Sequence, residues 1–119
     1  MKIILGIIFA INLSNVHANP VFKTLVRKEG SIKTRIEKKE MPNLVSSHSF
    51  DGQYFKIVLK KSNEAVSFND QDENLILKAA TVYYHLNKSR EFWVNQMKLT
   101  HLKEMPKIIV RLELINQFD

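Results

Sequence analysis

The chain has 119 residues, 45% of them hydrophobic and 25% charged, with 18 Lys and Arg against 12 Asp and Glu, a formal charge of +6 and no cysteine. That composition excludes a disulfide-stapled scaffold, a cysteine nucleophile and lipidation at a cleavage-site cysteine. Three isolated glycines, Gly6, Gly30 and Gly52, offer no Gly-rich phosphate loop, and the basic balance favours contact with anionic surfaces without specifying a ligand.

Residues 1–18, MKIILGIIFAINLSNVHA, combine a basic start at Lys2, an apolar run from Ile3 to Ile11 and small or aliphatic residues at Val16 and Ala18. The run is far shorter than the roughly 20 residues of a membrane-spanning helix. The pattern predicts a signal peptide cleaved after Ala18, and so a secreted or periplasmic protein with no transmembrane segment after cleavage. Residues 19–119 then form one small α+β domain, of a size that buries only about 60–65% of its unfolded surface.

The segment 19–41 is basic and strand-like. Lys23, Arg27, Lys28, Lys33, Arg35, Lys38 and Lys39 are offset by Glu29 and Glu37; Glu29-Gly30-Ser31 divides two weak strand patterns over 21–40, and in the second Ile32, Thr34 and Ile36 alternate with charged neighbours. A solvated strand pair is the ordinary reading of such a charge run, and an anionic-surface site the functional one. Pro42 ends the pattern. Over 44–68, Asp51-Gly52 between two β-prone runs predicts a hairpin, 44–50 against 53–60, turning at that dipeptide; a short edge strand, Ala65 to Phe68, follows.

A helix is expected over 71–97, with Asp70 capping it and Glu73 completing a capping box. Leu75, Ala79, Val82, Leu86, Trp93 and Met97 recur at helical spacing and form the expected core face, with Trp93 its largest member. Tyr84 and His85 fall on the flanks of that stripe. They are the candidate ligand or partner contacts, weighed against a covering role at the edge of the core. Residues 107–115, KIIVRLELI, alternate as a strand with one face well buried.

The expected fold is therefore α+β, with antiparallel strands and a hairpin packed against one long amphipathic helix and a strand at the C-terminal end. The sequence stops soon after that strand, which gives the expectation of an incomplete domain.

Catalytic machinery is sparse. None of His17, His48, His85 and His101 opens a His-Glu-x-x-His motif. His101 and Glu104 form a lone pair, short of the three or four ligands of a zinc site. His48, beside Ser47, Ser49 and Asp51, is a local cluster on one hairpin with no pocket implied. The sequence thus predicts no catalytic residue, no metal site and no cofactor.

The run AATVYYHLNKSREFW, residues 79–93, followed by a loop, the strand KIIVRLEL and NQFD, resembles the segment just upstream of the zinc-binding helix in secreted thermolysin-like and fungalysin-like metallopeptidases. In those families an Ala-rich helix with paired aromatics precedes a β-strand, and an Asn-rich stretch leads towards His-Glu-x-x-His. Tyr83, Tyr84, Phe92, Trp93 and Asn116 match in kind, over about residues 72–119. The resemblance carries over no catalytic or metal residue, and implies descent or truncation without activity. Two readings follow. One is an exported non-catalytic protein or fragment similar to the N-terminal lobe of a secreted zinc metallopeptidase. The other is a self-contained small basic binding module of the periplasm or cell surface. The partner is unknown, a protein or an anionic surface, with nucleic acid not expected.

Overall fold

The computed structural model describes residues 19–113. The expected signal segment 1–18 and the end of the expected strand 107–115 lie outside the described residues.

Two strands, β1 (Val21–Arg27) and β2 (Thr34–Glu40), pair antiparallel with Leu25 opposite Ile36. Their loop closes through Lys28 N–H donating to the Lys33 carbonyl at 3.1 Å, with Gly30 at φ 72°, a conformation glycine adopts without steric cost. Strand β3 (Phe55–Leu59) is followed by the helix α1 (Glu73–Glu91), a π-helical turn (Phe92–Gln96), a 3-10 turn (Thr100–Glu104) and β4 (Ile108–Leu112). β4 lies parallel to β3, with Phe55 opposite Ile108 and Leu59 opposite Leu112. Parallel neighbours need a long crossover, and α1 supplies it. The molecule is thus a mixed α+β fold: an antiparallel hairpin, one long helix and a C-terminal strand.

The core is built from Met41, Phe50, Ile57, Val66, Leu75, Ala79, Ala80 and Tyr83. Phe22 of β1 closes one side of it, stacking with Phe50 and Phe68 at centroid distances of 5.0 and 4.7 Å, while Phe50 and Phe68 meet edge-on at 4.8 Å. Tilted and edge-on contacts of this kind are favoured over face-to-face stacking.

Several expectations are corrected in detail. The expected hairpin of 44–50 against 53–60 does not form; only Asp51 bridges Lys56, while Leu44 bridges Gly52 and Ser49 bridges Ser67. Phe50 O accepts from Ile57 N and Gly52 N donates to Phe55 O, both at 2.9 Å, so the chain turns at Gln53-Tyr54. Gly52 is buried, and it is not among the positive-φ residues. Its role is space: a Cβ there would collide with the Tyr83 hydroxyl and ring. Val66, expected on an edge, is stitched on both sides, donating to Ile57 O at 2.8 Å and accepting from Phe50 N at 2.9 Å.

The helix cap is Asp72, whose Oδ1 accepts from the N–H groups of Asn74 and Leu75 at 3.0 and 3.2 Å; Asp70 sits two residues earlier and accepts from Asp72 N–H. The core face is also shifted. Leu75 and Ala79 are buried as expected, but below them the buried residues are Ala80, Tyr83 and Asn87, while Val82 and Leu86 are half-buried. Trp93 is 44% and Met97 51% exposed, and Val94 takes the inward position. The cause is double. Tyr83 and Asn87 can be buried because their polar tips find partners, and the π-helical turn inserts an extra residue that resets the face beyond Glu91. Lys98, at φ 57°, then stops the helix. In β4, Val110 and Leu112 are half-buried but Ile108 and Ile109 are exposed, because α1 covers β3 before it reaches β4.

Candidate functional site

Where α1 widens into the π-helical turn, its end stands away from β3 and β4. The gap is an open apolar groove of about 250 Å³, lined chiefly by Tyr54, Leu86, Trp93, Leu102, Met105 and Ile108. The guanidinium of Arg90 lies over the Tyr54 ring, 3.4 Å from its centroid, and forms a cationic rim. Phe92 and Trp93 meet edge-on at 5.5 Å, so the indole is braced from outside. Next to the groove runs the outer edge of β4. Ile108 N–H donates to Tyr54 O and Leu112 O accepts from Lys60 N–H, both at 2.9 Å, so the alternate backbone groups of Ile109 and Arg111 face away from β3. Among the described residues no strand pairs with that edge.

A polar spine fixes the base of this corner. Tyr83 donates its hydroxyl proton to Pro42 O at 2.5 Å, Asn87 Nδ2 donates to Tyr83 O at 2.8 Å, and Asn43 Nδ2 donates to Asn87 Oδ1 at 3.2 Å. Burial raises the Tyr83 phenol well above the usual tyrosine range; the Asn87 side chain pulls it down and the Asp51 carboxylate adds to the rise. Asp51 Oδ1 is buried without a directed hydrogen bond, and the Lys107 ammonium neutralises it, tying the entry of β4 to the 50s segment.

Tyr84 and His85 are not in this groove. His85 Nε2 lies 2.7 Å from Leu25 O, and since a carbonyl can only accept, this nitrogen carries the proton. One turn earlier, Thr81 Oγ1 accepts from Leu25 N–H at 3.0 Å and donates to Leu77 O at 2.7 Å. Together the two side chains clasp the free edge of β1 onto α1. Tyr84, half-buried, meets the His85 ring edge-on at 5.2 Å, and the Lys88 ammonium lies over the Tyr84 ring, 5.8 Å from its centroid. Removing the clasp tests its weight. Thr81→Val leaves a strand amide without its acceptor and is expected to cost about 1–3 kcal/mol, with hydrogen exchange at Leu25 N–H accelerating while that of Ile57 follows only the global change.

The remaining histidines stand apart. His48 Nδ1 lies 3.3 Å from Ser47 Oγ on an exposed loop, and His101 is exposed in the 3-10 turn. Among the described residues no three His, Cys, Asp or Glu side chains come together as a metal-ion site, and no helix is long and apolar enough to cross a membrane.

The second surface is the β1–β2 hairpin. Lys23 is directly opposite Lys38 on one face, a like-charge pair that opposes strand pairing when no anion is present. Beside it, Val21, Phe22, Ile36 and Ile76 line a shallow groove of about 490 Å³ against the start of α1. On the other face Glu37 lies between Arg35 and Lys39. The Lys39 hydrogen bond chiefly holds its carboxyl below the usual range, with Arg35 helping and partial desolvation opposing.

Tyr54, Arg90, Leu102, Met105 and Ile108 were not foreseen as site residues. Their one sequence signal is a set of large apolar and aromatic side chains, Tyr54-Phe55, Phe92-Trp93 and Met105-Pro106, that fit no single helical or strand face. Comparison with family models, with curated proteins and with solved structures finds no match to this chain.

Proposed function

We propose that the chain is an exported, non-catalytic α+β protein, similar to the N-terminal lobe of a secreted zinc metallopeptidase, that works by seating a polypeptide in the groove beside Trp93. The observation that carries this reading is the pairing of that apolar groove with the outer edge of β4. An extended segment can add to such an edge through its main chain and place an apolar side chain in a neighbouring pocket, which is the physics of β-strand addition. The order of helix, loop and strand over 73–112 is also the order that the resemblance implies. Export rests on residues 1–18, and the non-catalytic reading is supported by the separation of His48, His85 and His101.

Trp93 is the sole tryptophan and reports on the groove directly. Energy transfer from Trp93 to bound anilinonaphthalene sulfonate is expected, and Leu102→Asp is expected to abolish it; absence of transfer in the unchanged chain would remove the groove as a docking site. Peptide hydrolysis by the purified chain is expected to be nil with or without a chelator, and chelator-sensitive cleavage would overturn the non-catalytic reading. The exported form is expected to begin at Asn19 by intact mass; a retained Met1 would sink the cleavage proposal.

The second reading is a self-contained small basic binding module of the periplasm or cell surface. It is favoured by Lys23 and Lys38, like charges opposite each other on the hairpin that, among the described residues, take part in no ion pair.

A further inference from the structure

We infer that the tip of the β1–β2 hairpin docks on an anionic bilayer, with Ile32 entering the interface and Arg27, Lys28 and Lys33 holding the headgroups. The inference rests on the second reading, the chain as a basic binding module, and narrows it to one place and one surface chemistry.

Ile32 is 88% exposed, the most exposed of the large apolar side chains among the described residues. A single exposed isoleucine is ordinary. Its company is what points to a ligand. Within residues 27–35 there are four cations and one anion, Glu29. Arg35 is paired with Glu37, but among the described residues Arg27, Lys28 and Lys33 take part in no ion pair. Three charges are therefore free at the apex that carries the apolar residue.

Three of the backbone donors at the apex are satisfied within the turn itself. Lys28 N–H donates to Lys33 O at 3.1 Å, Ser31 N–H to Lys28 O at 3.0 Å, and Lys33 N–H to Ser31 Oγ at 3.0 Å. Donors satisfied within the turn do not have to be stripped of water when the tip meets the headgroup region. Further up the hairpin, Lys23 and Lys38 add positive charge, and the half-exposed Val21 and Ile36 continue the mixture of basic and apolar side chains. Electrostatic attraction combined with shallow apolar insertion is how interfacial segments hold to anionic lipid.

A soluble polyanion could use the same cations, but it gives Ile32 nothing to enter. The bilayer is favoured because it uses both. Each basic side chain near an anionic surface contributes about fivefold in partitioning, and burying one isoleucine is worth on the order of tenfold.

The test is flotation of the purified protein, in its exported form, with phosphatidylcholine vesicles that contain or lack phosphatidylglycerol, alongside retention on immobilised heparin. Every variant is compared with the unchanged chain in that same form, and its thermal midpoint is measured as a folding control. The unchanged chain is expected to float with the anionic vesicles only, and to release as salt rises. Lys28→Glu with Lys33→Glu is expected to lower partitioning at least 25-fold, about fivefold for each side chain. Ile32→Ser is expected to lower it about tenfold and to leave heparin retention unchanged. Equal flotation with both vesicle types overturns the inference. Heparin retention combined with vesicle binding indifferent to Ile32→Ser also overturns it, while leaving the basic-module reading standing. Binding to neither vesicles nor heparin overturns both.

Discussion

Tyr83→Ala is expected to cost about 3–5 kcal/mol in urea unfolding, enough to unfold much of a domain whose total stability is 5–15 kcal/mol. Tyr83 is fully buried at the centre of the core, and its hydroxyl is the donor that satisfies Pro42 O. Tyr83→Phe isolates the second contribution: it keeps the ring but leaves that carbonyl unpaired, an expected loss of about 1–3 kcal/mol. The same phenol makes stability depend on pH at the alkaline end. Burial raises its folded pKa above the unfolded value near 10, with Asp51 adding to the rise and Asn87 opposing it. The folded state therefore keeps a proton that the unfolded chain gives up. The contribution is fully present below about pH 10 and is lost above it, with a slope approaching 1.4 kcal/mol per pH unit. Tyr83→Phe should remove this part of the slope while leaving stability near neutrality lower. Equal alkaline slopes in the two proteins would show that Tyr83 does not hold its proton in the folded state.

Tyr83 also marks the boundary of what was legible in the sequence. Two-residue alternation located a strand at Thr34–Glu40, and another from Ile108 to Leu112, but put the first on the wrong face: Ile32 lies in the loop, 88% exposed, and Ile36 is exposed, while Glu37 and Lys39 are the half-buried side chains of β2. The helix was legible for a similar reason, and its first two core residues, Leu75 and Ala79, are where the spacing put them. The rest of its face was misplaced by one residue. Counting apolar side chains favours Val82, Leu86 and Trp93 over Tyr83, Asn87 and Val94, because periodicity assigns a buried hydroxyl or amide its desolvation cost without its partner. Those partners, Pro42 O and the Asn43 side chain, lie 41 and 44 residues away in sequence. The π-helical turn has no Gly or Pro to announce it.

Strand order alone left the neighbour of β4 open, and the parallel pairing with β3 emerges from the crossover through α1. The candidate groove was hidden for the same physical reason: Tyr54, Leu86, Trp93, Leu102 and Ile108 come from four separate segments, and only packing brings them together. Tyr84 and His85 were singled out correctly as lying off the core stripe, but what His85 meets is the β1 backbone, through a hydrogen bond between residues 60 apart. A stretch that reads as one aromatic cluster is thus divided by the helix among three tasks. Tyr83 fills the core, His85 holds β1, and Trp93 borders the groove.

Gly52→Ala is expected to cost about 3 kcal/mol, a large effect for one methyl group, and the reason is the neighbour rather than the turn. The added Cβ would meet the Tyr83 hydroxyl and ring carbon, and would lie 3.0 Å from the carbonyl oxygen of Asn43. The Tyr83 ring cannot retreat without giving up its bond to Pro42 O, and Asn43 is itself held in a left-handed conformation, φ 61°, with its side chain bonded to Asn87. Two explanations of this glycine make opposite forecasts. If Gly52 served a tight turn with positive φ, as the Asp-Gly dipeptide suggests, Asn would be the best substitute, because its side chain tolerates that region. If Gly52 leaves room for Tyr83, Asn is larger than Ala and must be worse. A double-mutant cycle separates them further. Combining Gly52→Ala with Tyr83→Leu removes the hydroxyl and ring from the collision, so the alanine should cost about 1–2 kcal/mol less in that background than in the unchanged chain. Part of the penalty should persist, since the Asn43 carbonyl is still there. Equal alanine penalties in both backgrounds, together with a benign Gly52→Asn, would return Gly52 to the role of a turn residue and detach it from the packing of Tyr83.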